Sequence, residues 1–376
     1  MKNLLLSLSI FAIISSAFAQ KTSKTMDFDG QIREYIEYVP GIYASNDTVP
    51  LVICLHGLGD NMDNFYGIGM NYVADTANFI VLTPEALVDN DISGYTAWNS
   101  GASALGMVLN GNVDDVGFIS ALIDSTMSLY NIDTSRVYVT GLSMGGFMTQ
   151  RLACQLNERF AAVASVAGTF GNSMTCTNDS PIPVCHFHGT LDSTIYYTNN
   201  MYGNDAEELV NFWVEKNNCD TVADTLFMPD NAADGRTVQK ITYPNESTGN
   251  EVVFYKVING EHEWLFTPTN DISYTKEIWK FFLKHQKQAV NSVNDINNDI
   301  SFSIYPNPAT NNVQLIINNK SLAYNIEIIN INGLVIKQFN TTNKQVNIDL
   351  SFAKKGIYFM KIISKNSVTT QKLIIE

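Results

Sequence analysis

The stretch RVYVTGLSMGGFM, residues 136–148, decides how the chain folds. Arg136–Thr140 is a β-branched apolar run of the kind that forms a strand buried on both faces. Gly141-Leu142-Ser143-Met144-Gly145 follows without a break, and Phe147, Met148 and Leu152 continue as an amphipathic helical stretch. A strand that turns directly into a helix forces its central residue into strained backbone, and the flanking glycines let neighbouring backbone crowd in. Such a turn lifts the Ser143 hydroxyl clear of the sheet, above a helix N-terminus that favours developing negative charge. A Gly-rich turn with a capping serine is the plainer reading, but it accounts for neither the strand before nor the helix after. Ser143 is the candidate nucleophile.

Outward from this turn, short apolar runs alternate with helical patterns. Strands are predicted at residues 51–55, 79–82, 136–140, 161–165, 183–188 and 252–257. Val116, Ile119, Ile123, Met127 and Tyr130 recur at helical spacing, as do Tyr274, Ile278 and Phe282. The alternation predicts an α/β fold, a mostly parallel sheet with helices on both faces. Residues 288–300 are polar and Asn-rich and read as a linker. Beyond them, alternating segments such as 313–317, 325–331 and 357–363, separated by Asn/Gly turns, predict a small all-β sandwich over residues 301–376.

A serine hydroxyl needs a base, and the chain holds five histidines. In folds of this kind the chain order is nucleophile, acid, histidine. His56 precedes the nucleophile and His186 and His188 precede the acid, while His285 lies in a polar helix tail that suits a solvated role. His262, in the loop after strand 252–257, is the candidate base. Asp192 follows strand 183–188 in His188-Gly189-Thr190-Leu191-Asp192 and is the candidate partner of its Nδ1 proton, although turn and capping roles are commoner for such an aspartate. His186 and His188 share one strand face; with no third ligand nearby, packing against the Asp192 loop is expected rather than metal binding. The backbone N–H groups of Met144 and Leu58, the latter in His56-Gly57-Leu58-Gly59, are the candidate oxyanion hole. Trp98 and Trp264, with Phe65 and Tyr66, are placed at the mouth as stacking surfaces for a substrate, core packing being the alternative.

The termini and composition bound the setting. Lys2, the apolar run from Leu4 to Ile14 and Ser15-Ser16-Ala17-Phe18-Ala19 predict a cleaved export signal at residues 1–19. No later segment is long and apolar enough to predict a membrane span. The formal net charge is −14 and no Lys/Arg run occurs, which argues against a nucleic-acid partner. Five cysteines permit disulfides in an exported chain but leave at least one thiol free; Cys54, inside an apolar strand, is the expected buried thiol, and the remaining connectivity is open. No zinc-like spacing is present.

Several of these segments together resemble secreted feruloyl esterases and polyhydroxybutyrate depolymerases of the α/β-hydrolase type. They are Arg33–Pro40, Leu55-His56-Gly57, Ala97-Trp98-Asn99, Asp114–Phe118, Arg136–Ser143, Phe160–Gly168, His188–Asp192 and His262-Glu263-Trp264, in that order across residues 25–285. The resemblance implies an extracellular serine esterase without metal or organic cofactor, acting on acyl groups of plant xylan or on polyesters. Glu261 stands where the family usually has glycine, and Leu265-Phe266 replaces a Pro-rich stretch; both departures are assigned to the acyl site. A serine peptidase of the same fold and a non-catalytic adhesin are the rivals from other classes. In the tail, Ser303–Ala309, Asn332-Gly333, Gly356-Ile357-Tyr358 and Lys372–Glu376 resemble the type IX secretion sorting domain. That resemblance implies passage to the cell surface or the medium by the type IX machinery. A carbohydrate-binding module is the rival for this region, weakened by its lack of tryptophan.

Overall fold

The computed structural model describes residues 19–176, 180–287, 302–317, 324–330, 334–364 and 368–376. The expected export signal, the linker and the Asn332-Gly333 turn lie outside them, apart from Ala19 at the end of the signal. The chain divides into two compact units, residues 1–287 and 288–376. Among the described residues no helix is long and apolar enough to cross a membrane.

The first unit opens with a hairpin of β1 (Gln20–Phe28) and β2 (Gln31–Val39). Next come β3 (Val49–Leu55), helices α1 (Met62–Tyr66) and α2 (Met70–Ala77), β4 (Ile80–Pro84), and a two-stranded ribbon of β5 (Ser103–Ala104) and β6 (Met107–Val108). Helix α3 (Asp115–Leu129), β7 (Ile132–Leu142), α4 (Met144–Gln155), β8 (Ala162–Val166) and β9 (Val184–Gly189) follow. The unit closes with α5 (Ala206–Lys216), β10 (Asp224–Phe227), β11 (Thr237–Pro244), β12 (Glu251–Ile258) and α6 (Tyr274–Phe282). Ten strands form one sheet in the order β1-β2-β4-β3-β7-β8-β9-β12-β11-β10. Its centre, β4 through β12, is parallel, and antiparallel strands flank it on both sides.

The period-two alternation of strands explains how this sheet is buried. In β3, Leu51, Ile53 and Leu55 enter one core cluster, whereas Val52 and Cys54 enter a second on the other face. Helices α3, α4 and α5 cover the first face and α2 and α6 the second. Helix α3 begins where its sequence dictates, with the Asp114 side chain accepting from the Gly117 amide at 2.8 Å. Of the predicted stripe, Ile119 and Ile123 are buried while Val116, Met127 and Tyr130 are half-buried at its margin, and Phe118 and Leu122 complete the core-facing side.

In the second unit, β13 (Phe302–Tyr305), β14 (Asn312–Ile317) and β17 (Gln345–Asp349) form one sheet. Strands β15 (Tyr324–Asn330), β16 (Val335–Thr341), β18 (Gly356–Ile363) and β19 (Val368–Ile375) form the other. Val313, Leu315 and Ile348 from the first sheet meet Ile326, Ile328, Met360 and Ile362 from the second in one core. This is the expected all-β sandwich.

Candidate active site

Parallel strands put their C-terminal ends on one edge, where loops can carry chemistry without disturbing the sheet. The loops at the ends of β3, β7, β9 and β12 supply every proposed site residue except Trp98, which follows β4.

Strand β7 runs into Ser143, whose φ of 55° and ψ of −120° lie outside the regions open to ordinary residues. The turn is tight enough that glycine is obligatory beside it. A Cβ on Gly141 would sit 2.3 Å from the Gly145 carbonyl oxygen, and one on Gly168 would sit 2.3 Å from that of Ser143. Met144 opens helix α4, so its amide is among those without an intrahelical partner. Across the turn, Gly57 lies against Ser143, with the position of a Cβ there 3.4 Å from Ser143 Cβ. Leu58, 46% exposed, lines the same cavity as Ser143 and Met144.

The loops after β9 and β12 are joined by backbone. Thr190 N–H donates to Val257 O at 2.9 Å and Leu191 N–H to Gly260 O at 2.8 Å. This brings Asp192 Oδ2 within 2.8 Å of His262 Nδ1 across 70 residues of sequence. The other carboxylate oxygen accepts from the amides of Thr194 at 2.9 Å and Ile195 at 2.8 Å. Burial pushes the Asp192 carboxyl up, but the hydrogen bond and charge of His262 and the two amides outweigh it and hold the group below the usual aspartate range. With Nδ1 engaged by Asp192, Nε2 is the ring nitrogen left for proton transfer, and His262 lines one cavity together with Ser143.

That cavity has a volume of about 370 Å³. Apart from Ser143, His262, Thr194 and Tyr202, its walls are apolar: Leu58, Ile92, Ala102, Met107, Leu109, Met144, Phe147 and Ile195. The volume is far more than an acetyl group fills and suits a larger, apolar acyl group.

Several expectations need correction. Trp98 is 0% exposed; its indole N–H donates to His56 O at 2.9 Å, so it braces the Leu58 loop and offers no surface to a substrate. Trp264 donates to Thr275 Oγ1 at 3.0 Å and packs edge-on against Phe65, itself buried, so it serves the core beside the site and does not line the cavity. Leu265 is buried in the same core and Phe266 is partly exposed; neither they nor Glu261 lines the cavity. His285 is buried rather than solvated: its Nε2 lies 3.1 Å from Glu251 Oε1 and its ring lies 4.6 Å from that of Phe281. The turn after α6 that carries it folds back against β7 and β12, where Tyr138 Oη donates to its carbonyl at 2.7 Å and Glu251 meets its ring, which a polar sequence tail does not reveal.

Other supporting residues emerge only in three dimensions. Asp115 pairs with the buried Arg33 at 2.7 Å and accepts from the Asn99 amide at 2.7 Å. Asn99 Nδ2 in turn donates to Gly111 O and Val113 O, so this network fixes the segment that supplies Ala102, Met107 and Leu109. The quoted motif segments around Arg33, Asn99 and Asp115 were the available signal. Cys154 and Cys176 form a disulfide, while Cys54, Cys185 and Cys219 are free and buried.

A ten-stranded sheet with a serine on the strand-to-helix elbow and an aspartate-bound histidine on later loops defines an α/β-hydrolase. More particularly, residues 42–226 match the phospholipase/carboxylesterase family, and residues 303–376 match the secretion system C-terminal sorting domain. The first unit therefore has an α/β-hydrolase fold with a region similar to carboxylesterases, and the second is similar to a secretion sorting domain. It is 28% identical to a bifunctional acetylxylan esterase/xylanase of Neocallimastix patriciarum, over 60% of this chain and 28% of that one. It is 29% identical to a poly(3-hydroxyalkanoate) depolymerase of Paucimonas lemoignei, over 44% of this chain and 39% of that one. A feruloyl esterase B of Neurospora crassa is 32% identical, over 41% of this chain and 51% of the relative. The chain thus spans about half or less of these three relatives. Among solved structures, an acetyl xylan esterase from Aspergillus awamori shares the fold, with a TM-score of 0.50 and 18% identity over 71% of this chain and 99% of that one.

Proposed function

We propose that this protein is an extracellular serine carboxylic-ester hydrolase that removes feruloyl or acetyl groups from plant cell-wall xylan. Ser143 Oγ attacks the ester carbonyl as His262 Nε2 takes its proton, and Asp192 steadies the imidazolium that results. The oxyanion is held by the amides of Met144 and Leu58. His262 then protonates the departing alcohol, leaving the acyl group on Ser143. Water, deprotonated by the same nitrogen, attacks the acyl-enzyme and releases the acid and free Ser143. No step calls for a metal or organic cofactor.

The observation that carries this reading is a single cavity shared by Ser143 and His262, whose remaining walls are mostly apolar. The acetylxylan and feruloyl esterases among the relatives support the substrate class. The cavity volume favours feruloyl over acetyl. A second reading, depolymerase of hydroxyalkanoate or aromatic polyesters, is favoured by the exposed apolar side chains at and near the cavity, Leu58, Ile92, Met107 and Leu105, and by the depolymerase relative. Residues 1–19 are proposed to be removed on export through the inner membrane, residues 288–300 to tether the two units, and residues 301–376 to engage the type IX machinery.

A panel of methyl ferulate, acetylated xylan, polyhydroxybutyrate film and aminoacyl anilides separates these readings. Turnover of the first two, lost by roughly 10⁴–10⁶-fold in Ser143→Ala, is expected. Preference for the film selects the depolymerase, and for the anilides a peptidase. Silence on all four, or a folded Ser143→Ala variant that keeps more than a few per cent of the rate, overturns the assignment.

A further inference from the structure

Between helices α4 and α5 and the strands they cover, five buried polar side chains form an unbroken line that leads to the acid loop. Trp213 Nε1 lies 2.7 Å from Gln150 Oε1, and Gln150 Nε2 lies 2.7 Å from Ser165 Oγ. Ser165 Oγ is 2.8 Å from His186 Nδ1, and His186 Nε2 is 3.1 Å from His188 Nδ1. The line ends where His188 Nε2 lies 2.8 Å from Ile195 O and 3.6 Å from Asp192 Oδ2. All five side chains are fully or almost fully buried, so water cannot substitute for any of these bonds.

The direction of the line follows from chemistry. An indole N–H only donates, so Gln150 must meet it with oxygen and turn its amide N–H groups toward Ser165. At the other end a carbonyl only accepts, so His188 carries its proton on Nε2 against Ile195 O, and its Nδ1 accepts from His186 Nε2–H. The Nδ1 of neutral His186 is then an acceptor and takes the hydrogen of Ser165 Oγ, which itself accepts from Gln150. Burial pushes both imidazoles below their ordinary range and favours the neutral forms that this pattern requires.

We infer that His188 is a positioning residue for the acid of the triad, and that Trp213, Gln150, Ser165 and His186 exist to fix its tautomer. Ile195 is held at both ends, its N–H by Asp192 Oδ1 and its carbonyl by His188 Nε2–H. The turn that carries the carboxylate is thereby locked, and a hydrogen rather than a lone pair faces Asp192 Oδ2. The opposite tautomer would set a lone pair against both the Ile195 carbonyl and the carboxylate. Ile195 also lines the cavity, so the same lock fixes one of its walls. This inference rests on the proposed role of Asp192.

Two measurements test it. In long-range ¹⁵N–¹H spectra of histidine-labelled full-length protein, His186 and His188 are both expected as neutral Nε2–H tautomers. An Nδ1–H tautomer at His188 overturns the inference. In kinetics on a soluble ester, His188→Leu is expected to lower kcat about 10–100-fold with KM within about twofold. His188→Gln, whose amide can reach Ile195 O from the Nε2 position, is expected to restore most of that loss. Should His188→Leu fail to fold, Ser165→Ala removes one hydroxyl and is expected to mix the His188 tautomers and lower kcat about 3–10-fold. Mixed tautomers with an unchanged kcat overturn the positioning role. Asp192→Ala distinguishes the two levels. If it keeps full activity, the triad reading itself fails; if it loses activity while His188→Leu folds and keeps its rate, only the role of His188 fails.

Discussion

Trp98 and His285 show what a side chain does when its loop turns inward. The indole N–H of Trp98 satisfies the buried His56 carbonyl, one residue before Gly57 and two before the Leu58 amide. Trp98→Phe keeps the ring and deletes the donor, which costs about 1–3 kcal/mol for a carbonyl left unpaired. It is expected to lower the urea midpoint and reduce kcat about tenfold by loosening an oxyanion donor. A substrate-stacking residue would behave oppositely, raising KM with stability unchanged, so denaturation and Michaelis curves on the same variant settle the role. His285→Ala should leave kcat unaltered, as chain order predicts, yet lower stability because it strips Glu251 of a partner. His262→Ala should lower kcat by about 10⁴-fold. The spacing of Ser143, Asp192 and His262 was legible because strand ends dictate where such groups stand. The burial of Trp98 and His285 was not, because a loop's sequence does not say which way it folds back.

Helix α4 joins the nucleophile to the cavity wall through Cys154, whose disulfide to Cys176 ties down the segment after β8. That segment is laced to the loop bearing Ala102. Ser173 N–H donates to Gly101 O at 3.0 Å, and Asn172 Oδ1 accepts from the Ser103 amide at 3.1 Å. Replacing both cysteines by serine removes a closed loop with a sequence separation of 22, worth roughly 3 kcal/mol in the chain-entropy account. The double variant is expected to melt several degrees lower and to raise KM more than it lowers kcat, since the wall loosens while Ser143 and His262 keep their supports. An unchanged KM would detach the disulfide from the site. Cysteine spacing could not reveal this pairing, which depends on the return of the chain after β8. The same limit applies to β1, β10 and β11. The parallel centre declares itself in continuous apolar runs, whereas these outer strands mix polar and apolar residues and become strands only by pairing with neighbours. Strand ends differ from the predicted ones by up to four residues, the most in β7, where hydrogen bonding extends beyond the apolar run.

At the scale of the whole molecule, buried histidines couple the catalytic unit to pH. Burial lowers the pKa of His56, His186 and His188, so below about 6.5 the unfolded chain binds protons that the folded chain refuses. Stability contributed this way is complete above that value and falls as pH drops through the window below it. Asp192 and Glu251, whose carboxyls are held low against the cost of burial, add a further loss as pH falls through their own lowered values. The urea midpoint should therefore be level from pH 7 to 8 and decline steadily below about 6.5; equal midpoints at pH 7.5 and 5 would contradict it. Division into two units carries the last prediction. Residues 1–287 contain both core clusters of the large sheet and all three proposed catalytic side chains, and the sandwich has a core of its own. A chain ending at Lys287 should fold and retain its kcat on soluble esters. In a host with the type IX machinery it should accumulate inside the cell, since the sorting domain is gone. Secreted fraction and specific activity of full-length and shortened chains, measured side by side, test both halves. Loss of activity on soluble esters would mean that the sandwich contributes to the site. Loss confined to insoluble substrate would make it a binding module, and normal export without it would remove its sorting role.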